Sequence, residues 1–215
     1  MTPDEYLKEV LASQALVDES DEVKALQKHR ADVEKLLRDS FTDTALTIRY
    51  AGSKAKGTMN KESYDLDIIS YVSSGDDTAG ETLEDIYTNH KNVLGKKYWV
   101  EPKGSALRLK GHDPENLGVD FHIDVVPGRF TDEDRADAYL YQSSGDKKRL
   151  KTNLDVHLDH VRDSGVIEAI RLAKLWRVRN GQPIRTFVLE LAVINLLEDK
   201  KKKSQIGRAS CRERV

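Results

Sequence analysis

The sequence predicts an α+β fold, in which a mixed sheet with flanking helices is followed by the start of a helical domain. Between residues 45 and 142, short segments of alternating apolar and polar residues are typical of half-buried strands. Beyond Asn153, apolar residues recur at helical spacing instead, as in Val166, Ile170 and Ala173. This change of period separates the sheet from the helices that follow it.

The individual elements follow from the same patterns. Helices are predicted at about 4–16, 20–41, 53–58 and 81–94, and two more before Asn180-Gly181 and at about 186–200. Strands are predicted at 45–51, 65–72, 99–110, 117–126 and 138–142. Pro127-Gly128 is expected to end the fourth of these strands.

These elements divide the chain into four segments: N-terminal helices that pack on the core (1–41), a core domain (42–150), an incomplete helical domain (151–205) and a non-native tail (206–215). The tail abandons the periodicity and composition of the preceding residues and is interpreted as the translation of a sequencing-library adapter. An ordinary disordered basic tail is the alternative. On the adapter interpretation, the natural chain continues past about Gln205.

Composition narrows the class of protein. A hydrophobic fraction of 38% and a charged fraction of 33% are typical of a soluble protein, and the net charge of −2 does not indicate bulk binding to nucleic acid or membrane. The single cysteine, Cys211, excludes an intrachain disulfide framework and a cysteine-built zinc site. Without a signal peptide or a long apolar run, a cytoplasmic location is expected.

Two aspartates stand in one apolar strand. Because side chains alternate along a strand, Asp65 and Asp67 point to the same face. Adjacent carboxylates repel each other unless a cation lies between them, so the pair predicts a divalent metal with oxygen ligands. Aspartates exposed at a sheet edge are the alternative.

A third carboxylate comes from another apolar strand, Ile123–Pro127, which contains Asp124. Three carboxylates allow two Mg²⁺ or Mn²⁺ ions about 3.5–4 Å apart, the arrangement that activates a hydroxyl and steadies a triphosphate. Asp120 shares the face of Asp124 and competes with it for this role, but Asp124 has the more apolar neighbours. His122 is interpreted either as support for a metal ligand or as a solvent-facing residue.

The segment Gly52–Thr58 is interpreted as a phosphate-binding loop. Glycine lets backbone amides approach an anion, and a helix that begins at Ser53 points its positive end at phosphate. The Ser53 hydroxyl donates to phosphate, and Lys54 or Lys56 adds positive charge. A Gly-Ser pair is also a simple helix cap, so the prediction depends on the order of elements: strand, Gly-Ser turn, short helix, Asp-x-Asp strand, Asp strand.

In this order the residues resemble the polymerase-β-type nucleotidyltransferases, and most closely the branch of oligoadenylate synthases, cyclic GMP-AMP synthase and bacterial CD-NTases. The resemblance covers about residues 20–200 and makes 42–150 the nucleotidyltransferase core. Its motifs are Gly52-Ser53 with Gly57-Thr58, the Asp65-Leu66-Asp67 strand and Ile123–Pro127. Lys151-Thr152-Asn153 with His157 also fits, although Leu154 stands where proline is usual.

The resemblance implies roles for residues of the helical domain. Lys174 and Thr186 are expected to contact the triphosphate, and Phe187 to stack on a base, with ordinary helix packing as the alternative for each. The predicted site then has two sets of residues. The carboxylates bind the metals and are catalytic, and the expected nucleotide-binding residues are Gly52, Ser53, Lys56, Gly57, Thr58, Lys174, Thr186 and Phe187.

The resemblance also implies a reaction. A nucleotide is transferred from a nucleoside triphosphate (ATP, GTP or another) to a 2′- or 3′-hydroxyl with release of pyrophosphate. The product is expected to be a cyclic or linear oligonucleotide second messenger in anti-phage defence, with a regulatory protein or effector as a partner. The alternatives are transfer to an RNA, protein or drug acceptor, and a truncated module that binds triphosphate without turnover.

Overall fold

The computed structural model describes residues 1–17, 20–110 and 123–198. Its helices are α1 (Pro3–Ser13), α2 (Asp21–Ser40), α3 (Gly52–Lys56), α4 (Leu83–Leu94), α5 (Leu154–Arg162), α6 (Ile167–Arg179) and α7 (Thr186–Leu197). Its strands are β1 (Thr47–Tyr50), β2 (Leu66–Val72), β3 (Trp99–Pro102), β4 (Leu107–Lys110), β5 (Ile123–Phe130), β6 (Ala138–Tyr141) and β7 (Arg149–Thr152). Asp120, His122 and the predicted tail lie outside the described residues.

The chain divides into two compact units. The sheet unit comprises the described residues among 21–52 and 65–155. The helical unit comprises those among 1–20, 53–64 and 156–215. The four predicted domain bounds remain a prediction.

The sheet unit is built on a mixed sheet in the order β1-β2-β5-β4-β3, and β6 pairs with both β5 and β7. Strands β2 and β5 are parallel, and the other pairs are antiparallel. Strand β2 is almost wholly buried, because it lies between two strands and carries apolar residues on both faces. The predicted α+β fold with a mixed sheet is therefore confirmed.

Three details of the strands differ from the sequence predictions. The strand predicted at 99–110 is instead a hairpin, in which β3 and β4 pair antiparallel around a turn at 103–106. Pro127-Gly128 does not end β5, which continues to Phe130. Pro127 is tolerated because β4 pairs with β5 only up to Val125 and β6 begins its pairing at Arg129, so the missing N–H breaks no bond on that side. Strand β7 was not predicted at all.

Helices α2 and α4 pack together in the sheet unit. A capping box between Thr82 and Asp85 fixes the start of α4. On this helix His90 is fully buried, where its Nδ1 donates to the Ile86 carbonyl at 2.8 Å and its Nε2 accepts from the Ser70 hydroxyl at 3.0 Å. Burial lowers the pKa of His90 to about 4, so the imidazole is neutral near pH 7.

The helical unit packs α6 against α7 and α1. The guanidinium of Arg171 donates to the carbonyl oxygens of Met59 and Leu11 and to Asn60, which ties three segments of this unit together. Helix α7 is apolar on nearly all sides, a pattern typical of helices within a larger helical domain. Among the described residues, no helix is long and apolar enough to cross a membrane.

Candidate active site

A row of charged residues crosses four strands of the sheet unit. Asp67 on β2 is in register with Asp124 on β5, and Asp124 is in register with Arg108 on β4. Arg108 is in turn in register with Glu101 on β3. Since residues in register point to the same face of a sheet, the register brings the predicted ligands Asp67 and Asp124 side by side.

Asp65 joins this row from the residue immediately before β2, where it is half-buried and two positions from Asp67. Asp65 interacts electrostatically with Arg108 in this row. The pKa of Arg108 is raised mainly by its hydrogen bond to Asp124, whereas partial burial lowers it. The negative charges of Asp124, Asp65 and Glu101 raise it further. Asp65 and Asp124 thus act on the same guanidinium, and Asp67 lies in register beside Asp124.

Asp124 is held by a two-pronged ion pair that was not predicted. Arg108 donates from Nε to Oδ1 at 2.8 Å and from Nη2 to Oδ2 at 2.7 Å. The side chains of Asp124 and Arg108 are 16% and 27% exposed, so the pair is only partly screened by water. Sequence reasoning missed Arg108 because its partner is 16 positions away and depends on strand register.

Gly52 approaches the carboxylate of Asp67 more closely than any other residue type would allow. A Cβ atom built at Gly52 would lie 1.6 Å from Oδ2 of Asp67, and the φ angle of +53° favours glycine as well. The N–H of Ala51 donates to the Asp67 carbonyl at 2.9 Å, which fixes the start of the loop beside β2. The glycine is therefore required by its contact with a predicted metal ligand.

The donor set fits a divalent metal in its chemistry, because carboxylate oxygens are the ligands that Mg²⁺ and Mn²⁺ prefer. In the described part of the chain, however, no three His, Cys, Asp or Glu side chains are gathered closely enough to hold an ion. The carboxylate of Asp124 turns both oxygens toward Arg108. The two-metal site remains a prediction.

In the helical unit, three of the predicted nucleotide-binding residues meet at Glu190. This carboxylate is only 1% exposed and pairs with Lys56 Nζ at 2.6 Å and with Lys174 Nζ at 3.8 Å. Lys174 also donates to the Thr58 carbonyl at 2.9 Å and hydroxyl at 3.1 Å, and the Thr58 hydroxyl donates to Glu190 at 3.3 Å. Lys174 and Thr58 are buried here, a setting that also fits the packing alternative.

Glu190 was missed by sequence reasoning, although one signal could have found it. It is the single carboxylate in the apolar run from Phe187 to Leu197, and a charge in such a run requires a partner. The sequence does not reveal that its partners come from two other segments of the helical unit.

Phe187 is 41% exposed at the start of α7. The His157 ring lies edge-on to it, at 5.4 Å between ring centroids, and Lys56 Nζ lies 5.2 Å from the ring centre. Thr186, the first residue of α7, is half-exposed. An exposed aromatic beside a cation is suited to stacking on a base, although its role remains a prediction.

The rest of the predicted loop is accessible. Ser53 is half-exposed and accepts a backbone hydrogen bond from Thr58 at 3.0 Å, while Gly57 is exposed with φ of +71°. The sheet unit therefore gathers the carboxylates and Gly52, and the helical unit gathers the predicted lysines, Thr58 and Phe187.

Comparison with known proteins identifies similar chains. No protein-family model matches this sequence. Two curated CBASS oligonucleotide cyclases CdnC, both from Escherichia coli (one from strain KTE188), are 26% identical over 175 residues, which are 76% of this chain and 55% of theirs. The chain spans about half the length of these relatives.

Solved structures share the fold. The CdnE cyclic dinucleotide synthase of Elizabethkingia meningoseptica, solved with GTP and Apcpp, has a TM-score of 0.72 at 15% identity over 96% of this chain and 80% of its own. CdnC of E. coli MS115-1 in a HORMA complex has a TM-score of 0.64 at 19% identity, covering 94% and 66%. DncV of Vibrio cholerae with 3′-deoxy ATP has 0.59 at 19%, covering 91% and 60%. The predicted resemblance to CD-NTases is confirmed.

Proposed function

We propose, from the CD-NTase fold of the chain and its sequence similarity to CBASS cyclases, that it catalyses metal-dependent nucleotidyl transfer. The substrates would be nucleoside triphosphates, and the product a cyclic or linear oligonucleotide second messenger in anti-phage defence. The observation that carries the proposal is the register of Asp67 with Asp124. Next to them lies Gly52, where a Cβ atom of any other residue would clash with Asp67. In support of the proposal, Asp67 lies beside Gly52, the first residue of the proposed phosphate-binding loop.

In the sheet unit, Asp65, Asp67 and Asp124 would hold one or two Mg²⁺ or Mn²⁺ ions. When bound, such ions polarise the attacking hydroxyl and neutralise charge on the departing pyrophosphate. Gly52 contributes space, because its missing side chain leaves the Asp67 carboxylate in place. No nucleophile from the protein is required, since phosphoryl transfer depends mainly on positioning and electrostatics.

In the helical unit, Lys56 and Lys174 would attract the triphosphate. Both ammonium groups contact the same carboxylate, Glu190, so they lie close together in this unit. Ser53 and Thr186, both half-exposed, would donate hydroxyl hydrogen bonds to phosphate oxygens.

The partners proposed are those that the similar proteins suggest. One similar structure contains GTP and Apcpp, and another is a complex of CdnC with HORMA. Nucleoside triphosphates are therefore the proposed substrates, and a regulatory protein the proposed partner.

The test is to incubate the chain with labelled triphosphates and Mg²⁺ or Mn²⁺, and to measure released pyrophosphate and labelled products. Asp65→Ala/Asp67→Ala should lower pyrophosphate release by at least about a hundredfold, because both carboxylates are proposed metal ligands. Asp43→Ala/Asp134→Ala is the matched control, since it removes two exposed carboxylates from the same unit.

Each outcome has a defined meaning. Oligonucleotide formed from triphosphates alone supports a second-messenger synthase, whereas strict dependence on an added RNA, protein or drug supports an acceptor-specific transferase. Triphosphate binding without pyrophosphate release favours a binding module. Equal release from the wild type and Asp65→Ala/Asp67→Ala would refute metal catalysis by these residues.

A further inference from the structure

Arg108 binds the carboxylate oxygens of Asp124 that a metal at the proposed site would also bind. Both oxygens of this carboxylate accept hydrogen bonds from one guanidinium, at 2.8 and 2.7 Å. A divalent ion at the proposed site would bind one of these oxygens, and its charge would repel the guanidinium.

We propose that Arg108 is an internal counter-ion that competes with divalent metal for Asp124 and so lowers the metal affinity of the chain. The inference rests on the proposed metal site and names a residue that tunes it. Arg108 is a positioning residue in this role, because it acts on metal binding through Asp124.

The neighbouring charges explain why Arg108 pairs with Asp124. Its other neighbour in register, Glu101, is already bound by Lys103 and by Lys110, the latter at 2.8 Å. These hydrogen bonds lower the pKa of Glu101 to about 2 and leave the guanidinium fork for Asp124. Glu101 thus has its own cations, and Arg108 pairs with Asp124.

Deprotonation does not abolish the positive charge with which Arg108 competes against a metal. A guanidinium stays charged at every accessible pH. A metal must therefore bind against two charge-assisted hydrogen bonds and a nearby positive charge.

The experiment is a Mn²⁺ titration of the nucleotide-free chain, in which electron paramagnetic resonance measures the concentration of free Mn²⁺. Arg108→Gln should bind Mn²⁺ about tenfold more tightly than the wild type, because a positive charge next to the ion is lost. The matched control is Arg38→Gln, which removes another arginine–carboxylate pair (with Glu34) on α2 of the same unit. Its Mn²⁺ affinity should equal that of the wild type.

Arg108→Lys is the second variant, and it covers the case in which Arg108→Gln does not fold. It keeps the charge but loses the fork, so Mn²⁺ should bind about threefold more tightly. As an independent readout, Arg108→Gln should lose thermal stability in a chelator and regain it with Mn²⁺, because the metal replaces the lost counter-ion.

The outcomes separate this inference from the proposed function. An affinity of Arg108→Gln equal to or weaker than that of the wild type overturns the counter-ion role, and an unchanged Arg108→Lys does so if the glutamine variant is unfolded. Unchanged Mn²⁺ binding by Asp65→Ala/Asp67→Ala instead overturns the metal site itself. If neither the wild type nor Arg108→Gln binds Mn²⁺ at millimolar concentration, both proposals fail.

Discussion

Replacing Gly52 with alanine tests the contact between the loop and the predicted metal ligand. The new Cβ would lie 1.6 Å from Oδ2 of Asp67, far inside van der Waals contact, so the carboxylate must move. The φ angle of +53° adds strain, because an L-residue in the left-handed region costs about 1–2 kcal/mol.

The size of the effect follows from these two terms. Overpacking a filled position costs about 1–3 kcal/mol, so Gly52→Ala should lower the free energy of unfolding by roughly 2–5 kcal/mol in total. Gly75→Ala isolates the strain term, since Gly75 lies in the same unit with φ of +72° and a Cβ added there would meet nothing within 4 Å. It should cost only about 1–2 kcal/mol.

Urea unfolding of the two variants measures the difference, which should be about 1–3 kcal/mol. Mn²⁺ affinity should fall at least about tenfold in Gly52→Ala and stay unchanged in Gly75→Ala, because only the first displaces Asp67. Equal losses of stability in both variants, or tight Mn²⁺ binding by Gly52→Ala, would contradict the reasoning.

Three further predictions concern single side chains: His90, Glu190 and Phe187. The pKa of His90 is about 4 in the folded chain against about 6.5 in the unfolded chain, so unfolding takes up a proton between these pH values. The free energy of unfolding that depends on His90 is therefore full above about pH 6.5 and falls by up to roughly 3 kcal/mol toward pH 4. Urea unfolding at pH 7 and pH 4.5 should show this fall in the control His160→Gln, which changes an exposed histidine, and a smaller fall in His90→Gln. An equal fall in both variants would refute the prediction. Glu190→Gln should lower the free energy of unfolding in urea by about 3–5 kcal/mol, because it removes the carboxylate that pairs with two largely buried lysines, whereas Glu62→Gln, at an exposed pair, should change it far less. Phe187→Leu should weaken ATP binding by about 1 kcal/mol or more in a fluorescence titration if the ring stacks on a base, and unchanged affinity would leave the ring a packing role.

The candidate carboxylates could be predicted from the sequence, but the strand pairing that brings them together could not. Period-two alternation placed Asp65 and Asp67 on one face, and the apolar flanks selected Asp124. The register of Asp67 with Asp124 depends on which strands pair, and β2 and β5 lie far apart along the chain. Local patterns carry no information on such a pairing.

The errors in the strands have a similar cause. The segment 99–110 contains Gly104-Ser105 but lacks the Asn-Gly or Asp-Gly pair that marks a tight hairpin, so its alternation was interpreted as one strand. Pro127 was expected to stop a strand, because proline has no N–H to donate to a neighbouring strand. It is accommodated where one neighbouring strand has ended and the next has not begun, a detail of tertiary pairing.

Each unit stabilises a group of like charges with one residue of opposite sign. In the sheet unit Arg108 lies among carboxylates, and in the helical unit Glu190 lies between two lysines. Like charges that are partly withdrawn from water repel strongly, so a folded chain that keeps them for ligands needs such a counter-ion until the ligand binds. A sequence search finds Asp65 and Asp67, because they form an Asp-x-Asp motif, but it misses Arg108, which another strand supplies. The counter-ions are therefore the positions at which substitution should change ligand affinity without removing a proposed ligand.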